Sequence, residues 1–345
     1  MRGNRTAILQ CLAAAALFGL STPASKLLLG SVPPVSLAGL LYLGAAVATF
    51  PAAARQRGNL RRVDRRNLLW LAGAVVFGGV LGPVLLLWGL SRAPAASVAL
   101  WLNLETVATG LLAWAWFKEH LGAHTLAAMA LVIGASVLLA APFDPQIGLA
   151  ALLVTLACVC WGLDNNFTAL IDRLSPTQTT FAKGLVAGGI NLGLGLLLAG
   201  DPIPPPAPFA GALALGGLSY GASLVLYISG AQQVGATRSQ LIFATAPFWG
   251  VVLSWLWLDA AILGVQLAAL GVMLVAVWLL NTERHAHVHT HGRLTHTHAH
   301  RHDDVHHDHD HPDVPAGARH THEHTHEPVT HTHPHAPDLH HRHEH

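Results

Sequence analysis

CVCWGLDNNFTALIDRLSPTQTTFAKG, Cys158 to Gly184, decides how this chain is read. Its two flanks are apolar enough to be membrane helices, yet it carries one carboxylate (Asp164), two carboxamides (Asn165, Asn166) and one amine (Lys183). A charge at the centre of a membrane helix costs about 2.5–3.5 kcal/mol on insertion scales, so ionisable groups there mark ion or substrate paths. The same stretch echoes the chain's beginning. With Phe18 laid on Trp161, Gly19 falls on Gly162, Leu20 on Leu163 and Pro33 on Pro176, without a gap. An internal repeat that opens on polar residues is the mark of a transporter half.

Outward from that stretch, the 345 residues separate into two materials. Up to about residue 283 the chain is apolar, rich in Gly and Ala, with runs near the 20 residues a helix needs to cross a bilayer. From about residue 284 onward it holds 23 of the 25 histidines and almost no large apolar side chain. Such a segment cannot bury a core, and the expectation is disorder over 284–345. The three cysteines, Cys11, Cys158 and Cys160, lie in apolar runs and give no disulfide framework. No basic face with interleaved aromatics points to nucleic acid. The first run, from about Ala7, lacks a cleavage site and reads as a retained helix.

Ten spans are expected, at roughly 7–29, 34–54, 67–90, 96–117, 121–141, 147–170, 178–198, 208–231, 237–257 and 261–281. The ten-residue alternation of barrel strands is absent, which leaves helices as the way to satisfy backbone groups in lipid. The fold class is therefore all-α, with two inverted five-helix repeats, 1–142 and 143–283, and the tail 284–345. An odd number of spans per half forces the second copy upside down. Arg2, Arg5, Arg55, Arg57, Arg61, Arg62, Arg65, Arg66, Lys118, Arg173, Arg238 and Arg284 fall on one side; only Arg92 falls on the other. By the positive-inside rule both termini are expected in the cytoplasm, in a bacterial inner membrane.

Two halves with an early W/F-G, a proline before the second span and an acidic residue closing the fourth resemble the drug/metabolite transporter superfamily of EamA type. Within it, NLETVATGLLAWAWFKEH (103–120) and CWGLDNNFTALI (160–171) are similar to a subgroup with N-L-E in span four and D-N-N in span six. The resemblance covers about residues 7–281. It implies a ten-helix secondary transporter whose central cavity opens alternately to each side, exporting small organic solutes such as metabolites, amino acids or drug-like compounds. The second half departs from the pattern by offering Asp259 where the first has Glu119. The tail is outside the pattern.

Six residues form the expected transport site: Asn103, Glu105, Asp164, Asn165, Asn166 and Lys183. Glu105 near mid-span is a proton-coupling or substrate-binding carboxylate, or a group bonded to Asn103 that ties helices together. Asp164 and Lys183 each lie about six residues from the same membrane face. At 1.5 Å per residue both sit about 9 Å deep, fit to pair as a gate or as a latch. Asn165 and Asn166 line the cavity or glue helices. Lys26 is expected to snorkel to the interface. Pro23 and Pro247 could break their helices and free carbonyls. Gly184-x-x-x-Gly188 and Gly189-x-x-x-Gly193 favour close helix approach.

No nucleophile, base and oxyanion donor converge, so no enzyme is expected and no cofactor is required. In the tail His285, His287, His289, His291, His296, His298, His300, His302, His306, His307, His309 and His311 are expected metal ligands. Neutral imidazole suits Zn, Ni, Co or Cu, and a loose tail would not choose among them. The alternative function is thus a divalent metal exporter, or a metal-responsive membrane protein. The expected partners are the lipid bilayer, a small-molecule substrate and divalent ions.

Overall fold

The computed structural model describes residues 2–56, 63–117, 122–140, 145–171, 173–234, 242–259, 261–282, 285–291, 294–300, 320–326 and 329–335. Among them eight helices are long and apolar enough to cross a membrane: α1 (Thr6–Leu28), α2 (Pro34–Arg55), α3 (Arg65–Arg92), α4 (Ala95–Trp116), α5 (Ala123–Ala140), α6 (Pro145–Ala169), α7 (Pro176–Leu198) and α8 (Pro206–Gly230). Two shorter apolar helices follow, α9 (Ala246–Trp257) and α10 (Gly264–Leu279). The expected ninth span began at 237. That start lies outside the described residues; Ile242 and Phe243 are helical, a turn follows at Ala244–Thr245, and α9 opens at Ala246 with Pro247 in its first turn, where its missing N–H is harmless. Prolines open α2, α6, α7 and α8 in the same way.

Packing follows a two-fold pattern. Helix α1 packs on α8 and α9, while α6 packs on α3 and α4; α2 pairs with α7, and α5 with α10. Exchanging each helix with the one five places later maps these pairs onto themselves. The repeated glycines are part of the reason. A Cβ on Gly19 would strike the Ala246 carbonyl of α9, and one on Gly162 would sit 3.0 Å from the Ala108 carbonyl carbon of α4. Each glycine thus lets the first helix of one half cross the fourth helix of the other at backbone distance. Gly184 and Gly188 do the same for α7 on α2, whereas Gly189 and Gly193 face open space.

The α2–α7 pair is clasped at both ends. At one, Ser36 Oγ donates to Asp201 Oδ2 at 2.7 Å. At the other, Ser175 caps α7 by accepting from Gln178 N at 3.2 Å, and Gln178 Nε2 donates to the Gln56 carbonyl at 2.7 Å. Lys26 is partly buried. Its Nζ donates to the carbonyls of Leu90 (2.6 Å) and Ala93 (3.0 Å), the unpaired C-terminal carbonyls of α3, where the helix dipole also favours a cation.

Three helices carry π-helical stretches: Ala74–Leu81 in α3, Leu194–Leu198 at the end of α7 and Gly217–Ala222 in α8. The first and third occupy the third helix of each half, and both follow or contain a Gly-Gly pair, Gly78-Gly79 and Gly216-Gly217. Helices α1 and α4 are also interrupted, at Leu20 and at Leu102–Asn103.

The chain's second unit is Arg284–Pro337. It contains strands β1 (His285–His291), β2 (Leu294–His300), β3 (His320–His326) and β4 (Val329–His335). β1 pairs with β4 and β2 with β3, both antiparallel. The period-2 spacing of histidine with Thr and Val is strand-like. His302, His306, His307, His309 and His311 lie outside the described residues, as does Glu119.

Candidate functional site

Three consecutive side chains of α6 are turned to three surroundings by the 100° step of a helix. Asp164, buried, faces α3 and α7; its Oδ2 lies 2.6 Å from Lys183 Nζ, and its Oδ1 accepts from Thr168 at 3.1 Å. The Lys183 side chain is itself only 18% exposed. Asn165, exposed, faces α4, where its Nδ2 donates to Glu105 Oε1 at 2.9 Å and to Thr109 Oγ1 at 3.1 Å. Asn166, buried, donates to the Gly162 carbonyl at 2.7 Å and the Thr109 carbonyl at 3.3 Å.

Glu105 owes its place to the break in α4. The helix stops at Trp101, and Asn103 donates from its side chain to the Leu100 carbonyl at 2.9 Å. Helix resumes at Leu104, which puts Glu105 in a first turn, where unpaired N–H groups and the dipole favour a carboxylate. Asn103 is turned elsewhere than expected. It is buried, and its other contact is Met273 Sδ of α10 at 3.4 Å, so it packs the helix break and makes no bond to Glu105.

The π stretch of α3 forms the floor. Winding from i+4 to i+5 bonding exposes carbonyls, and side chains from three helices take them up. Tyr42 Oη of α2 and Trp161 Nε1 of α6 donate to the Gly78 carbonyl at 2.5 and 3.0 Å. Asn191 Nδ2 of α7 donates to the Gly79 carbonyl at 3.0 Å. The Tyr42 ring lies 5.7 Å from Tyr220 of α8, which in turn lies 5.8 Å from Phe18 of α1. Aromatic faces thus join the polar groups of α6 to the opposite repeat.

Of the six expected residues, then, five gather around α6, and Asn103 stands apart. The sequence reading overlooked Tyr42, Thr109, Thr168, Asn191 and Tyr220. Two signals were available. Thr109 and Thr168 each stand four residues after a carboxylate, one turn along the same face, and two of the chain's 3 tyrosines meet here. Among the described residues no three His, Cys, Asp or Glu side chains are grouped so as to hold a metal ion.

A family model described as the EamA-like transporter family matches this chain twice, over residues 5–141 and 148–282. The chain belongs to the EamA-like transporter family. The two matches coincide with the two sets of helices whose packing is exchanged by the two-fold pattern. An uncharacterized transporter of Methanothermobacter thermautotrophicus is 25% identical over 284 residues, covering 76% of this chain and 82% of its own length. A solved crystal structure at 19% identity superposes with a TM-score of 0.57, over 80% of this chain and 96% of that one, and shares the fold. This EamA-like protein is therefore an integral membrane transporter, built on the family's two-repeat plan.

Proposed function

We propose that the protein is a secondary transporter exporting a small organic solute, with Glu105 carrying the coupled proton and Asp164 and Lys183 acting beside it. One observation carries this reading. A carboxylate in the first turn of a broken helix shares a single asparagine neighbourhood with an ion pair, and tyrosines from both halves close on the same place. Broken helices that line a midplane site are a recurring device of inverted-repeat transporters. On this reading α9 and α10 also cross, making ten spans, and the π stretches of α3 and α8 are the points where each half bends. Metabolite, amino acid and drug-like solutes all fit a site with both charges and aromatic faces.

A growth screen of a deletion strain against amino acids, drugs and divalent metals identifies the solute. Glu105→Gln, reconstituted in proteoliposomes, should then insert normally and accept the Asn165 hydrogen bond, yet lose transport driven by a pH gradient. Undiminished transport by Glu105→Gln across that gradient would make Glu105 a structural group.

A second reading concerns the histidine unit. Alternate register pairs set histidine opposite histidine: His285 with His335, His287 with His333 and His289 with His331 in one ladder, His296 with His324, His298 with His322 and His300 with His320 in the other. We propose that these rows bind Zn, Ni, Co or Cu on the cytoplasmic side of a bacterial inner membrane. With unperturbed imidazole pKa of about 6.5, the rows are mostly neutral at pH 7 and mostly charged below about pH 5.5. Protonation competes with metal, so affinity falls as pH falls. The full-length protein should bind several zinc ions at pH 7 and release them at pH 5, while truncation after Arg284 should leave organic-solute transport intact. A reporter fused after residue 284 should read cytoplasmic. Equal zinc retention at pH 5, or a reporter reading outside, would remove this role.

A further inference from the structure

An apolar pocket of about 330 Å³ opens between α2, α3 and α7, all at the same end of the helices. The last turns of α2 supply Phe50, Ala53 and Ala54; the first turns of α3 supply Leu68 and Leu71; α7 supplies Phe181 and Ala182. Gln178 is its one polar lining residue, and that side chain is already committed to the Gln56 carbonyl. Nothing inside it could bind a polar solute. Its rim is different. Arg55 follows Ala54 directly, and Arg65 and Arg66 open α3 one turn before Leu68; all three are exposed. The acidic rim residue, Asp64, is occupied as the cap of α3, accepting from Asn67 N at 2.9 Å and Asn67 Nδ2 at 2.7 Å. The side-chain bond from Asn67, with the backbone one, holds that carboxyl below its ordinary range.

We propose that this pocket holds one acyl chain of an anionic phospholipid, whose headgroup phosphate rests on Arg55, Arg65 and Arg66. Basic residues at the end of an intramembrane crevice are the recognised chemistry for acidic headgroups. The apolar interior selects a lipid over free phosphate, because phosphate alone leaves it empty. Placing that lipid in the cytoplasmic leaflet rests on the orientation proposed above. The bound lipid would wedge the end of the α2–α7 pair beside the Gln56–Gln178 clasp, and so bear on whether that end opens.

The test uses the full-length protein in nanodiscs of mixed phosphatidylglycerol and phosphatidylcholine, with a photoactivatable diazirine in the acyl chain of one lipid at a time. Labelled phosphatidylglycerol should mark peptides containing residues 50–54, 68–71 and 181–182, and unlabelled phosphatidylglycerol should compete better than phosphatidylcholine. Each of Arg55→Gln, Arg65→Gln and Arg66→Gln should weaken that preference by about fivefold. Ala54→Phe, which fills the pocket, should remove the label at these peptides. Uniform labelling of wild-type protein, or equal competition by both lipids, would overturn the proposal without any variant. Displacement by inorganic phosphate, with Ala54→Phe still labelled, would make the site an anion site and overturn it as well. None of these outcomes depends on the reporter at residue 284, so a failure here is separable from a failure of the orientation.

Discussion

Gly78→Ala will destabilise this transporter and force its buried ion pair apart. The new Cβ would occupy the space of the Asp164 carboxylate, overlapping its Oδ2 and Cγ. Asp164 cannot step aside freely. It is buried, it is bonded to Thr168, and its other oxygen is 2.6 Å from Lys183. The α3 backbone cannot retreat freely either, since the Gly78 carbonyl is held by Tyr42 and Trp161. Overpacking a rigid site costs about 1–3 kcal/mol, and pulling apart a buried ion pair about 3–5 kcal/mol. The expected result is a loss of several kcal/mol, read as a lowered unfolding midpoint in detergent, and no transport. Gly134→Ala is the control: it adds the same methyl on α5 where nothing lies within 4 Å. If Gly78→Ala transported solute like Gly134→Ala, the close packing of α3 on the ion pair would have no part in function.

Much of this arrangement could be read from the sequence, for reasons that differ by element. Eight of the ten expected spans agree with the helices to within about two residues, since length and hydropathy alone set a crossing. The ninth agrees at its end, Trp257, and its start lies outside the described residues. The pairing of Asp164 with Lys183 was legible because two charges at equal depth on helices joined by a short loop have few other solutions. The π stretches were not legible. The one in α3 falls where Gly78 and Gly79 let α6 and α7 approach, a tertiary effect with no hydrophobic period of its own. Asn103 was misplaced for a related reason: its position beside Glu105 in sequence says nothing of a helix break that turns the two apart.

Asp164→Asn and Lys183→Met, made singly and together, should give the strongest non-additivity in the protein. The single changes each leave one charge buried without its counterion. Lys183→Met strands a carboxylate whose one oxygen then has no donor, while its other keeps only Thr168. Asp164→Asn leaves the ammonium of a side chain only 18% exposed without its counterion. Each should cost about 3–5 kcal/mol, most of it the unpaired charge rather than the lost attraction. The double variant removes both charges and keeps both shapes, so its cost should fall well below the sum, with a coupling energy of about 1–3 kcal/mol. Unfolding in detergent measures the stability side of the cycle and solute flux the functional side. Restored stability with absent transport would identify the pair as a working part of the cycle. Restored stability together with restored transport would identify it as a latch, whose task ends with holding α6 to α7. Strict additivity in both readouts would mean that the 2.6 Å contact carries no energy, and would end the claim that the two residues act as one.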